Sequence, residues 1–158
     1  MQILWAPWRL KYIKGSKEKG CFLCKYLKSK HDRKNLILYR GETAFVMLNR
    51  YPYNSGHLMI APVKHTAEFT DLSDEELLEI MKLTTRSIEV LNKVLKPMGF
   101  NIGVNLGRVA GAGLEDHLHF HVVPRWNGDT NFMPVNFDTK VMPQLLDETY
   151  VMLKKSFK

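Results

Sequence analysis

Apolar residues fall along this chain in two rhythms. Short runs rich in aliphatic, aromatic and β-branched side chains occur at 36–39, 44–48, 57–61, 101–106 and 118–123, and they predict five strands. Turn-forming material at 40–42, 51–56 and 107–113 separates them. Between the third and fourth runs the period lengthens to that of a helix. Leu77, Ile80, Met81, Thr84, Ile88, Leu91 and Leu95 share one predicted face, Ser73 and Glu76 are spaced as a capping box, and Pro97 and Gly99 form the stop. A second helix is predicted from Val141 to Phe157, with Leu145, Leu146, Thr149 and Leu153 at helical spacing and lysines near its C-terminal end. Strands gather in the middle and helices flank them without alternation. The expected class is therefore α+β, with a largely antiparallel sheet of about five strands, one long helix after the third strand and a C-terminal helix.

Composition narrows the picture. The 158 residues are 45% apolar and 25% charged, which is ordinary for a globular chain, and a chain of this length buries roughly 68–70% of its unfolded surface. No repeat, low-complexity tract or linker divides it, so 1–158 is expected to form one domain. The longest apolar runs, such as Leu58 to Pro62, fall far short of the roughly 20 residues that span a membrane. The first residues lack a leader pattern, and a cytoplasmic location is expected. Charge is uneven: residues 1–40 carry eleven Lys or Arg and two acids, a surplus of nine in a chain whose net charge is +7. Such a field attracts phosphate-bearing partners without naming a chemistry. Lys17–Lys19 and Lys28–Lys34 lack interleaved aromatics, which favours a solvated face over a nucleic-acid groove.

The candidate chemistry lies in His117-Leu118-His119-Phe120-His121-Val122-Val123. On a strand, period-two geometry puts His117, His119 and His121 on one face and Leu118, Phe120 and Val122 on the other. A row of imidazoles above a core calls for an anion or a metal, so nucleotide chemistry and a poly-histidine metal site are both open. Just upstream, Asn105 and the glycines of 107–113 suit a loop whose amides approach phosphate closely, although a plain hairpin uses glycine as readily. Cys21 and Cys24 are the only cysteines; a metal knuckle, a redox pair and two buried apolar residues all fit them. No predicted strand precedes Cys21, which disfavours thioredoxin-like chemistry. His31 reads as exposed, His57 as a packed or hydrogen-bonded ring, and Trp5, Trp8 and Trp126 as hydrophobic packing, a base cover or a dimer seam.

The pattern His-φ-His-φ-His-φ-φ, with φ apolar, resembles the signature of the histidine-triad (HIT) nucleotide hydrolases and transferases. Leu48-Asn49 and Gly56-His57-Leu58-Met59-Ile60-Ala61-Pro62 resemble that family's second and third strands, extending the likeness over about 20–126. Trp5 to Arg9 and Arg125 to Pro134 resemble extensions of its bacterial diadenosine tetraphosphate phosphorylase branch. The resemblance implies a HIT-like fold and makes His119 a nucleophile that attacks the α-phosphorus of an adenine nucleotide or dinucleoside polyphosphate. His121 then donates to a phosphate or bridging oxygen, Asn49 contacts the ribose, and Asn105 with Gly111, Ala112 and Gly113 contacts phosphate. Orthophosphate as acceptor follows from the same branch; such a dianion needs donors, and Arg108 and Arg125 are weaker candidates beside His121 and the Gly111 to Gly113 amides. A homodimer and Mg²⁺ travelling with the nucleotide follow from the resemblance too. In zinc-bearing members the positions of Cys21, Cys24, His65 and His117 are ligands, so a structural zinc is expected, with His117 neutral. Leu114 departs from the Ser or Thr often found three residues before the first histidine. A hydrolase using water and a non-catalytic nucleotide- or RNA-binding module are the rival readings.

Overall fold

A computed structural model describes residues 20–129 and 142–157. The chain runs through α1 (Phe22–Lys28), α2 (Asp32–Asn35), β1 (Ile37–Arg40), β2 (Ala44–Leu48), β3 (Leu58–Pro62), α3 (Asp74–Leu95), β4 (Gly99–Val104), β5 (Phe120–Arg125) and α4 (Leu146–Ser156). The five strands form one sheet in the order β1-β2-β3-β5-β4, every neighbouring pair antiparallel. This is the α+β arrangement that the sequence predicts.

The central strands β2 and β3 are buried at every position, which is why they read as unbroken apolar runs. Their side chains alternate between two cores. Val46, Leu48, Leu58 and Ile60 pack with Ile80, Leu83 and Leu91 of α3 and with Tyr150 and Leu153 of α4. Phe45, Met47, Met59 and Ala61 face the other way, beneath Leu23 and the flanking Phe22 and Tyr26 of α1. The sheet is thus sandwiched between α3 with α4 on one face and α1 on the other.

Helix α3 begins as predicted, with Ser73 and Glu76 bonded reciprocally in a capping box. It ends at Leu95, where Lys96 takes the left-handed conformation; Gly99 already belongs to β4. The buried stripe differs from the predicted one: Leu83, Ser87 and Val90 are inside, whereas Met81 is half exposed. Met81 lies about 100° around the helix from Ile80, and Ser87 hides its polarity by donating Oγ–H to the Leu83 carbonyl at 2.7 Å. Likewise α4 starts five residues later than predicted, and Leu145 is its exposed N-cap rather than a core residue. Val141 and the segment 130–140 lie outside the described residues, as do Trp5, Trp8 and the rest of 1–19. No helix among the described residues is long and apolar enough to cross a membrane.

Candidate functional site

Strand β5 starts at Phe120, two residues later than the sequence pattern implies, so His117 and His119 sit on the extended approach to it. The cause is Pro62. Continuing the β3–β5 register from Ile60↔Phe120 would pair Pro62 with Leu118, and proline has no N–H for a ladder bond. The two segments meet by other bonds instead: His117 Nε2–H donates to the Pro62 carbonyl at 2.9 Å, and Leu118 N–H donates to the Thr66 carbonyl at 2.7 Å. These bonds bring His65 beside His117.

The bond to Pro62 fixes the His117 tautomer, leaving the Nδ1 lone pair aimed at Cys21, Cys24 and His65. Nδ1 lies 3.2 Å from Cys21 Sγ, 3.5 Å from Cys24 Sγ and 3.2 Å from His65 Nδ1, while Cys24 Sγ is 3.4 Å from His65 Nδ1. All four donor atoms fall within 4.8 Å of one another. Zinc with sulfur at about 2.3 Å and nitrogen at about 2.0–2.1 Å in a tetrahedron needs S···N edges of about 3.6 Å and N···N edges of about 3.3 Å. The residues fit that ion. Cys21 is the N-cap of α1 and Cys24 lies three residues on, so a single helical turn presents both sulfurs together. Without an ion, burial pushes the Cys21 thiol up to about 11, a cost that a bound cation reverses. Asp116, 3.8 Å from His65 Nε2, adds an outer carboxylate.

The second half of the site is a chain of rings. His119 is buried, and its Nδ1–H donates to the His117 carbonyl at 2.8 Å, which leaves Nε2 with a bare lone pair in the neutral ring. Its ring stands 5.0 Å from that of His121 in an edge-to-face arrangement. His121 in turn meets His57, the histidine that the sequence presented as a packed ring. Tyr53 N–H donates to His57 Nδ1 at 3.0 Å, so the neutral His57 carries its proton on Nε2. That N–H points at His121 Nδ1, 2.9 Å away, so His121 accepts there and carries its own proton on Nε2. Burial, with the neighbouring imidazoles second, lowers His57 to about 3 and His121 to about 4, so both are neutral at neutral pH. Burial likewise lowers His117. The outcome is that Nε2 of a neutral His119 ring has a bare lone pair next to a neutral donor on His121. The hydrogen-bonded ring read for His57 is what the structure shows, and only the β3–β5 register, with Met59 opposite His121, supplies His121 as its partner.

The remaining residues named from the sequence fall in several places. Asn49 closes β2, is nearly buried, accepts Tyr51 N–H at 2.9 Å and holds its amide 3.3 Å from His57 Nδ1. Asn105 follows β4 and reaches under Gly111. Gly111 and Ala112 donate their amides to the Arg108 and Gly107 carbonyls, which closes the loop and engages two of the three amides expected to meet phosphate. Leu114 packs on the α1 side of the core, so no hydroxyl stands at that point. Arg125, expected as a weak anion partner, is instead clamped by Asp129, at 2.6 and 3.0 Å, and by Asn101. His31 is exposed, as read.

The structure is thus an α+β protein whose antiparallel sheet ends, at the start of β5, in a row of tautomer-fixed histidines beside a two-cysteine, two-histidine cluster. Residues 30–128 match the HIT domain family, and the chain belongs to it. It is 40% identical over 161 residues to a protein named AP-4-A phosphorylase from Mycobacterium tuberculosis, covering 97% of this chain and 83% of that one. It is 31% identical to an adenosine 5'-monophosphoramidase of Schizosaccharomyces pombe over 68% of this chain and 76% of the relative. Among solved structures, a zinc-bound histidine triad family protein from Mycobacterium smegmatis superposes with a TM-score of 0.68 at 25% identity, covering 87% of this chain and 93% of that chain.

Proposed function

We propose that the protein cleaves diadenosine tetraphosphate by phosphorolysis, releasing ATP and then ADP. The observation that carries the reading is the His119 ring: buried, with Nδ1–H held by the His117 carbonyl, so that Nε2 is the nitrogen left to attack. Attack on the α-phosphorus forms an Nε2–P bond and breaks the bond to the bridging oxygen, whose electron pair leaves with ATP. His121 Nε2–H hydrogen-bonds that oxygen as charge develops. Orthophosphate then forms a P–O bond to the same phosphorus, the P–N bond breaks, and the electron pair returns to His119 Nε2 as ADP departs. Splitting the displacement in two needs a nucleophile with no proton to shed, which the tautomer supplies. The named mycobacterial relative supports this acceptor and substrate.

Asn49 and the 105–113 loop are proposed to hold the ribose and the phosphates, with Mg²⁺ as the nucleotide's own counterion. Cys21, Cys24, His65 and His117 would hold zinc, which supplies structural cross-linking. His117 as a ligand then positions the strand and takes no part in proton transfer.

Chromatography of the products at varied orthophosphate, with isotopically labelled phosphate, tests the reading: label is expected in ADP, with ATP as co-product. AMP formed independently of orthophosphate would instead assign water as acceptor, and binding without turnover would assign a nucleotide-binding module. Water at about 55 M outnumbers a millimolar anion, so phosphorolysis requires that the nucleotidyl-His119 state be shielded and the anion positioned.

A further inference from the structure

We infer that Asp129 and Asn54 are positioning residues that decide which ring nitrogen of His121 bears the proton. The inference rests on the reading of His121 as donor to the leaving oxygen. The Asp129 side chain is only 6% exposed. It accepts from Asn54 Nδ2 at 2.9 Å, Arg125 Nε at 2.6 Å, Arg125 Nη2 at 3.0 Å and Trp126 N–H at 3.1 Å. Arg125 also donates to Asn101 of β4. A carboxylate so enclosed needs every partner, so the ensemble is a rigid anchor at the end of β5.

Asn54 is held to that anchor by both hydrogens of its amide, one on Asp129 and one on the Pro124 carbonyl at 3.0 Å. Its own carbonyl accepts His57 N–H at 3.1 Å, and the residue before it provides the N–H that meets His57 Nδ1. The anchor therefore reaches His121 in defined steps: Asn54 holds the loop, the loop aims Tyr53 N–H, Tyr53 sets the His57 tautomer, and His57 sets that of His121. With the clamp cut, Tyr53 N–H loses its aim. His57 can then carry its proton on Nδ1, whereupon His121 donates from Nδ1 to His57 and turns a bare, non-donating Nε2 to the substrate. Asn49 Nδ2, a longer donor at 3.3 Å, keeps the redistribution partial.

The test uses the full chain, ¹⁵N-labelled, at neutral pH. Long-range proton–nitrogen spectra report which imidazole nitrogens are protonated, and steady-state kinetics with diadenosine tetraphosphate and orthophosphate report turnover. In Asp129→Asn the carboxylate charge is lost and the new NH2 faces either Asn54 Nδ2 or Arg125 Nη2, donor against donor, which loosens the clamp, so the His57 and His121 nitrogen signals are expected to move toward a tautomer mixture. With them, kcat falls about five- to tenfold, the equivalent of one neutral hydrogen bond, while KM stays within about twofold. Glu79→Gln, at the other end of the sheet, is expected to lower Tm while leaving those signals in place, which separates tautomer control from general loosening. Unchanged ring signals in folded Asp129→Asn, or moved signals without a fall in kcat, overturn the inference. Should Asp129→Asn not fold, Asn54→Ser is judged by the same two readouts, and failure of both to fold marks the clamp as a folding element and also overturns it. If the wild-type protein does not turn over the dinucleotide, the proposed function fails, and the ring signals alone decide the tautomer control.

Discussion

Each histidine of the site is defined by what its second nitrogen touches. His117 gives Nε2–H to Pro62 and offers Nδ1 to the cysteines; His119 does the reverse, giving Nδ1–H to the His117 carbonyl and keeping Nε2 bare. His119→Ala is therefore expected to remove turnover while nucleotide affinity stays within about tenfold, measured by single-turnover kinetics and titration calorimetry. His121→Ala should fall less far, by about 10²–10³, because it removes a donor and leaves the nucleophile. His57 makes a finer distinction. His57→Gln retains an N–H near the position of Nε2 and should lose less kcat than His57→Leu, which fills the space with no donor; equal losses would mean that His57 acts by packing alone.

Elements hold these rings in place through a few specific joints. Glu79, in the second turn of α3, takes the backbone amides of Glu42, Thr43 and Ala44 and the Thr43 hydroxyl, which ties the β1–β2 turn to the helix. Glu79→Ala strands those donors and is expected to cost about 1–3 kcal/mol, read from denaturant unfolding. The loop between β2 and β3 depends on Gly56, whose φ is +76° and whose added Cβ would lie 2.5 Å from Leu95 Cδ1 and 3.1 Å from Leu91 Cδ2. Gly56→Ala should accordingly destabilise by about 1–3 kcal/mol, through both the left-handed backbone and the crowded core. Because this loop also delivers Tyr53 N–H to His57, its kcat should fall along with its Tm.

At the scale of the molecule, the cysteine–histidine cluster joins three parts that share no strand: α1, the segment after β3, and the approach to β5. Zinc bound there to the folded chain stabilises it by linkage. One zinc per chain is expected by elemental analysis, with chelation or Cys21→Ser lowering Tm and releasing α1 from the sheet. Absence of zinc from protein purified without chelator would reject the site. Acidity works through the other rings. His57 and His121 have folded values of about 3 and about 4 against an ordinary 6.5, so between those limits the unfolded chain binds more protons than the folded one. Stability is then full above pH 6.5 and falls as pH drops toward 4 and below. Denaturant midpoints across that range should show the decline, with a shallower slope in His57→Gln.

The one-dimensional pattern determines a good deal of this protein. Five runs of apolar residues and one capped helical stripe suffice for an α+β sheet protein, because strand and helix periods are local properties. The row at 117–121 marks the chemistry, because alternation alone puts neighbouring histidines on one side. What only the tertiary structure decides is pairing across the sheet and the direction of each proton. The antiparallel register that sets Met59 opposite His121 brings up His57, 64 residues away in sequence. Pro62 ends the β3–β5 ladder early and so turns His117 toward the cysteines, and Asp129 turns Arg125 from an anion partner into a strut. The tautomers follow from carbonyls and amides whose positions exist only after folding, since a neutral imidazole has two equivalent ways to hold its proton until a neighbour removes one.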